Sequence, residues 1–370
     1  MTSPLVPAEL LKKSDRILFI AHLALGDFTY LQNCFQAFAQ AHPNLKVHLW
    51  VDEVRRTRDA AQWEHLKKYS LYDWVSSCSF FDKVYTRTWS PALYEESIRE
   101  ARQAAYPIVV SLATLRPHRY AGLARAIAPD GFVAGMKKPA GFFRPHHHLA
   151  YRKLDAAISP HIISKQQTAH AREHISDVYA DWFHQLFGLE IAPSARFPFV
   201  NIPDQWTGYA QQQLDAWGFG EGSGKLVFIN PFAKTRKRCW PLERVAELIV
   251  AMKKQDAWRD ACFIVNAVPQ ELANAKKVLN TYTLERTQLF SAEENFFQLP
   301  ALLSRCDLII SVETAVMHLA NAVHVPVVAL MRQKNPEWVP IDRNNSTVIT
   351  ALRRQDWVDA ISVAQVMKCL

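Results

Sequence analysis

Residues 307 to 330 constrain the fold more than any other part of this chain. They read Asp307-Leu-Ile-Ile-Ser-Val-Glu-Thr-Ala-Val-Met-His-Leu-Ala-Asn-Ala-Val-His-Val-Pro-Val-Val-Ala-Leu330. Leu308 to Val312 is an apolar run with the length and β-branched content of a buried parallel strand, and a helical pattern opens directly after it near Thr314. A second buried strand, Val325 to Leu330, follows the short helix. Such a strand, helix and strand belong to a parallel sheet whose ligands bind at the carboxyl ends of its strands. The strand runs straight into a helix N-terminus, which leaves backbone N–H groups unpaired and the positive end of the helix dipole facing outward, a ready place for a phosphate. Thr314 can cap this helix. His318, one turn further on, either faces the ligand or packs in the core.

The same alternation runs through the rest of the chain. Strands are expected at Arg16 to Ala21, Lys46 to Val51, Tyr106 to Leu112 and Gly131 to Gly135. In the second half they are expected at Gly224 to Asn230, Ala261 to Asn266 and Thr347 to Thr350. Helices are expected after the first strand, around Arg55, Arg56 and Arg58, from Ala92 to Ala105 behind Pro91, over Gln166 to Leu189, over Leu242 to Lys254 and from Asp356 to Leu370. Strands alternating with helices imply right-handed crossovers and an α/β fold. Pro193, Pro198 and Pro203 interrupt regular structure after the first set. We therefore expect one domain over residues 1–195 and a second over 196–352, with 353–370 as a terminal helix.

With 370 residues the chain has room for two domains of ordinary size, and a hydrophobic content of 49% is enough to fill two cores. The N-terminus lacks the pattern of a signal peptide, and no stretch approaches the roughly 20 apolar residues of a membrane span, so a cytoplasmic protein is expected. Six cysteines are scattered without a C-x-x-C pair, which argues against a disulfide framework and a zinc site. A formal charge of +8 favours an anionic partner without choosing among nucleic acid, an acidic membrane surface and a phosphorylated substrate.

Several residue clusters can carry chemistry. Gly26 supplies a permissive backbone, and Asp27 sits where the first strand's loop meets a helix, as a catalytic carboxylate or only as a cap. Lys234, Thr235, Arg236, Lys237 and Arg238 follow the strand ending at Asn230; their cations resemble a phosphate clamp, and the rival is a solvated basic loop. Glu271, after the strand ending at Asn266, can cap a helix or accept from ribose hydroxyls. The stretch from Met136 to Lys153 mixes Lys137, Lys138, Phe142, Phe143, Arg144 and three histidines, and reads either as an acceptor- or lipid-facing loop or as solvated surface. His146, His147 and His148 make a poor preformed metal site because adjacent side chains diverge. There is no G-x-G-x-x-G motif and no P-loop.

Three stretches together resemble glycosyltransferase family 9, the ADP-heptose:lipopolysaccharide heptosyltransferases. They are Ile17 to Phe28 with its Leu-Gly-Asp, Asn230-Pro-Phe-Ala followed by Lys237-Arg-Cys-Trp-Pro241, and Asp307 to Leu330. The resemblance implies the GT-B fold, two Rossmann-like domains facing each other across a cleft, with the terminal helix returning to the N-terminal domain. It implies an inverting, metal-independent transfer that needs no cofactor beyond its nucleotide-sugar donor, ADP-heptose, and a glycolipid or glycan acceptor. By that resemblance Asp27 is the general base, and Lys237 or Arg238, with Thr235, Thr314 and His318, stabilises the leaving diphosphate. Asn230, Lys234, Glu313 and Ala315 then belong to the donor site. Glu271 would contact the ribose, and Glu294, Asn295 and Phe296 would lie near the adenine. Arg116, Lys137, Lys138 and Arg144 are the acceptor-side candidates, and the basic surface is compatible with peripheral contact at the inner leaflet.

Two departures bear on the donor. Glu313-Thr314-Ala315 stands where the family has Asp-Thr-Gly, and Cys239 is an extra residue in Lys-Arg-Cys-Trp-Pro. They keep open a transferase that uses another nucleotide sugar. The basic charge keeps open a non-catalytic glycan-binding protein on the same scaffold. Nucleic acid is not an expected partner, since the cations cluster at ligand loops and no base-reading motif is present.

Overall fold

Each half of the chain builds one six-stranded parallel sheet. The computed structural model describes residues 3–138, 145–158 and 174–370. The chain divides into two units, Met1–Arg196 and Phe197–Leu370.

In the first unit the strands are β1 (Arg16–Ala21), β2 (Lys46–Val51), β3 (Lys83–Tyr85), β4 (Ile108–Ser111), β5 (Phe132–Met136) and β6 (Ala156–Ile158), ordered β3-β2-β1-β4-β5-β6. Successive side chains of β1 point to opposite faces. Phe19 meets Phe35 at 5.1 Å and Phe38 at 5.4 Å from the helix Leu25–Ala41, and Phe183 at 5.8 Å from the helix Ile175–Phe187. Leu18 and Ile20 instead pack with Trp50, Tyr120, Ala124 and Ile127. With helices on both faces the strand is apolar from Ile17 to Ala21, the pattern of a buried parallel strand rather than of a half-exposed one. Each aromatic ring so buried contributes roughly 1.5–3 kcal/mol.

In the second unit the strands are β7 (Leu226–Asn230), β8 (Cys262–Asn266), β9 (Thr287–Phe290), β10 (Leu308–Val312), β11 (Val327–Met331) and β12 (Ser346–Thr350), ordered β12-β11-β10-β7-β8-β9. The parallel register pairs Ser311 with Asn230, so both polar residues arrive together at the carboxyl end of the sheet. The core on one face joins Val227, Ile229 and Ile310 to Val245, Ile249 and Met252 of the helix Leu242–Lys253.

The structure revises four expectations. The basic residues Arg55, Arg56 and Arg58 lie in a loop, and helix resumes only at Trp63–Lys67. Both Arg55 and Arg56 turn back onto carboxylates, Glu53 at 2.6 Å and Asp52 at 2.7 Å, which holds the chain in a turn. The expected helix from Asp356 to Leu370 is a 3-10 turn, Val358–Ala360, and a separate helix, Val363–Met367, that Ser362 caps by accepting from the Gln365 N–H. This segment belongs to the second unit: Val358, Ile361 and Val366 are fully buried with Val245 and Ile249, and Trp240 Nε1 donates to the Ile361 carbonyl at 2.8 Å. Gly26 lies in the first turn of the helix Leu25–Ala41, not in a loop, and is not among the glycines with positive φ.

All six cysteines are free. Among the described residues no helix is long and apolar enough to cross a membrane.

Candidate active site

In the second unit the sheet order reverses at β7, whose neighbours are β10 on one side and β8 on the other. Loops leaving such strands in opposite directions open a crevice where ligands of α/β sheets bind. Four polar side chains are knotted there. Asn230 Nδ2 donates to Thr314 Oγ1 at 3.0 Å and to Ser311 Oγ at 3.1 Å, while Asn266 Nδ2 donates to Asn230 Oδ1 at 2.9 Å. Asn230 is buried, and its bonds lock the loop that follows β10 to the one that follows β7.

Thr314 is extended at the N-cap of the helix Ala315–Ala322 and accepts from the Val316 N–H. The residue before it, Glu313, is 5% exposed and is bound by two cations. Arg332, just past β11, donates from Nε and, at 3.2 Å, from its backbone N–H; Arg238 Nε stands 3.9 Å from the same carboxylate. Glu313 thus orders the two cations beside it. Ala315 is the first residue of the helix.

The cationic loop discriminates between its members. Arg236–Arg238 form a 3-10 turn in which Arg238 is half-buried, turned toward Glu313, with Nε donating to Thr235 Oγ1 at 3.3 Å. Lys237 is exposed, with Nζ 5.6 Å from the centre of the Trp357 ring. Lys234 and Thr235 are exposed. His318 is 2% exposed and lies beside Trp338, ring centres 5.9 Å apart.

Glu271 accepts from Asn274 Nδ2 at 3.3 Å and is half-buried. Asn295 Oδ1 accepts from the Phe297 N–H at 3.0 Å and Glu294 is exposed. Phe296 does not present its ring to a nucleotide: it is 2% exposed and packs edge-on to Phe297, because burying that ring closes the core under the loop.

In the first unit Asp27 is the third residue of the helix Leu25–Ala41. Its Oδ2 accepts from the Ala24 N–H at 3.1 Å, and its Oδ1 accepts from the Tyr179 hydroxyl at 2.9 Å. The capping role is therefore real, and it leaves lone pairs on both oxygens. Burial pushes the Asp27 carboxyl above the usual carboxylate range, with the Tyr179 and Ala24 bonds acting against it. At the end of β1, His22 stacks on Tyr120 at 5.7 Å, and its buried Nδ1 has no partner among the described residues. Burial holds it below the ordinary histidine value.

Beside this lies a cavity of 350 Å³ lined by Asp52, Arg56, Tyr94, Arg116, Arg119 and Tyr120, with Val54, Leu115 and Leu123 as its apolar wall. Arg56 is held by Asp52 and lies 3.6 Å over the Tyr94 ring. Arg116 and Arg119 are exposed and have no ion-pair partner among the described residues. Arg116 takes the left-handed backbone region, φ 53, at the N-cap of the helix Pro117–Ile127, which Pro117 opens at a position where a missing N–H costs no intrahelical bond. Lys137 and Lys138 are exposed at the end of β5, and Arg144 lies outside the described residues.

Sequence reading did not find Tyr179, Arg332, Asp52 or Arg119. None of them has a local signal: Tyr179 bonds to Asp27, Arg332 to Glu313 and Tyr120 to Asp52 across elements distant in the chain, and Arg119 is brought in only as part of the cavity lining. Among the described residues no group of His, Cys, Asp and Glu could hold a metal ion.

No curated protein matches this chain. Its fold matches a glycosyl transferase family 9 protein from Veillonella parvula DSM 2008 at 18% identity, covering 100% of this chain and 97% of that one, with a TM-score of 0.75. It also matches E. coli ADP-heptose lps heptosyltransferase II at 14% identity, covering 95% of this chain and 96% of that one, with a TM-score of 0.66. A third match is E. coli heptosyltransferase WaaC with ADP-2-deoxy-2-fluoro heptose, at 16% identity, covering 96% and 98%, with a TM-score of 0.61. These likenesses place the two Rossmann-like domains in the GT-B class. The model of glycosyltransferase family 9 (heptosyltransferase) matches residues 120–362. The chain therefore belongs to glycosyltransferase family 9 and is a glycosyltransferase of the heptosyltransferase type.

Proposed function

We propose that this protein transfers a heptosyl unit from ADP-heptose to a hydroxyl of lipopolysaccharide core or a related surface glycan, with inversion and without a divalent metal. The observation that carries the reading is the β7–β10 junction, where Asn230 ties down the Thr314 cap and Arg238 stands 3.9 Å from the carboxylate of Glu313, the residue before that cap. The E. coli structure with ADP-2-deoxy-2-fluoro heptose supports the choice of donor.

Asp27 takes the proton of the acceptor hydroxyl, whose oxygen bonds to the anomeric carbon as the bond from that carbon to the diphosphate oxygen breaks. ADP leaves with the electron pair. Backbone N–H groups at Thr314 and the Arg238 guanidinium neutralise the departing charge, the task a metal performs elsewhere. Lys234, Thr235 and Lys237 add to this field, and His318 supports the helix from the core. Asn230, Ala315, Glu271, Glu294 and Asn295 shape the donor site, with Phe296 as packing beneath it. The cavity lined by Arg116 and Arg119 accepts an anionic group of the acceptor, Lys137 and Lys138 extend the basic surface toward a cytoplasmic membrane face, and Arg144 is assigned to the acceptor by the resemblance alone.

The test is a transfer assay of the purified chain with ADP-heptose, run against UDP- and GDP-sugars and repeated in EDTA. Full activity with ADP-heptose in EDTA is expected; strict dependence on magnesium would sink the metal-free mechanism. A stronger response to another nucleotide sugar would favour the second reading, which the Glu313–Arg332 pair and Ala315 motivate.

A comparison within the cationic loop follows from its geometry. Arg238→Ala should lower kcat/KM by about 10- to 100-fold, since a hydrogen bond to charge contributes roughly 1.5–3 kcal/mol. Lys237→Ala should cost less than about fivefold. The reverse order in steady-state kinetics would reassign the diphosphate contact to Lys237.

A further inference from the structure

Tyr179 lies outside every motif of this chain, yet its hydroxyl makes the side-chain bond to Asp27. The ring is 4% exposed and packs on Trp182 at 4.9 Å. Its helix, Ile175–Phe187, is pinned to β1 and to the helix carrying Asp27 by Phe183, whose ring lies 5.8 Å from Phe19 and 5.6 Å from Phe35. The carboxylate is thus held at both oxygens, by the Tyr179 hydroxyl on Oδ1 and the Ala24 N–H on Oδ2. Rotation of the carboxylate about χ2 would stretch both bonds. With one donor on each oxygen, about two of the four lone-pair sites stay open for an incoming hydroxyl.

We propose that Tyr179 is the positioning residue of this base: its hydroxyl fixes the orientation of the Asp27 carboxylate and bonds to its ionised form. The proposal rests on the reading of Asp27 as the base. A general base acts only when it is both aimed and deprotonated, and burial of Asp27 works against the second condition. The Tyr179 bond is the largest influence opposing that burial. The other titratable groups facing the carboxylate are His22, at the end of β1, and Tyr69, whose hydroxyl donates to the Leu23 carbonyl at 2.9 Å. Burial raises both tyrosines, so they remain neutral donors across the working range, and it lowers His22.

Tyr179→Phe removes one oxygen and nothing of the ring. The Asp27 titration, followed by carboxyl-carbon NMR and assigned with Asp27→Asn, should move upward by about one pH unit, the shift expected from losing a hydrogen bond to a charged group. With ADP-heptose and a heptose-free lipopolysaccharide core as substrates, the acid limb of kcat/KM should move by the same amount while KM for the donor stays unchanged. Placing 3-fluorotyrosine at 179 keeps the packing and makes the hydroxyl a stronger donor, so the midpoint should move downward; it serves if Tyr179→Phe folds poorly. A midpoint that moves in neither variant overturns the proposal, as does a uniform loss of activity with an unmoved acid limb. Full turnover by Asp27→Asn would overturn the base reading and the positioning role together; an inactive Asp27→Asn with an unmoved midpoint would overturn the positioning role alone.

Discussion

Asp27→Asn should lower turnover by about 10²- to 10⁴-fold, the contribution expected of a positioned general base. The amide keeps the size of the carboxylate and can still accept from the Ala24 N–H or the Tyr179 hydroxyl, so the helix start persists. Donor affinity should be unchanged, because the polar knot at Asn230 and Thr314 is built entirely within the other unit. Stability should move in the opposite direction to activity. The folded-state pKa of Asp27 is raised above its ordinary value, so the folded protein binds this proton more tightly than the unfolded chain does. Its ionisation therefore costs stability above the raised folded value, and the cost fades as pH falls toward the ordinary carboxylate range. Asp27→Asn should melt higher than the parent at neutral pH, with the difference shrinking on acidification. Undiminished turnover in this variant would remove Asp27 from the mechanism, and a lower melting temperature at neutral pH would contradict the burial account.

Arg332→Ala should destabilise the second unit by about 3–5 kcal/mol, because it strands a buried carboxylate. Glu313 is 5% exposed, and its remaining cation, Arg238, is 3.9 Å away. The loss should appear in the urea midpoint at neutral pH. Replacing both partners, Glu313→Gln with Arg332→Met, should recover much of it, since a neutral pair leaves no uncompensated charge. Donor binding should weaken in Arg332→Ala beyond what stability explains, as Arg238 turns to the freed carboxylate and away from a diphosphate. A loss below about 1 kcal/mol would mean that Glu313 finds water or another partner when Arg332 is removed.

The fully covered strands were legible because burial on both faces demands unbroken apolar runs. β1, β7, β8, β10 and β11 show such runs, and the structure places each within a residue or two of its expected span. β3, β6 and β9 were not anticipated, and all three are sheet edges. An edge strand pairs on one side only and is partly exposed, so its sequence needs no comparable run. The last helix misled for a related reason. Val358, Ile361 and Val366 match a helical face, but Ser362 offers a cap that starts a new helix among them.

The sequence by itself determined the two-part α/β plan, the strand-to-helix junctions at Asp27 and Thr314, and the cationic loop between Lys234 and Arg238. These are local features, written in runs of a few residues whose periodicity and capping chemistry need no distant partner. Tertiary structure alone decided which groups govern them: Tyr179 on Asp27, Arg332 on Glu313, Asn230 under Thr314, and Arg238 rather than Lys237 turned toward Glu313. Each of these is a contact between elements separated along the chain, set by sheet order and register. A hydrogen bond or an ion pair has no sequence signature when the fold, and not chain proximity, brings its two ends together.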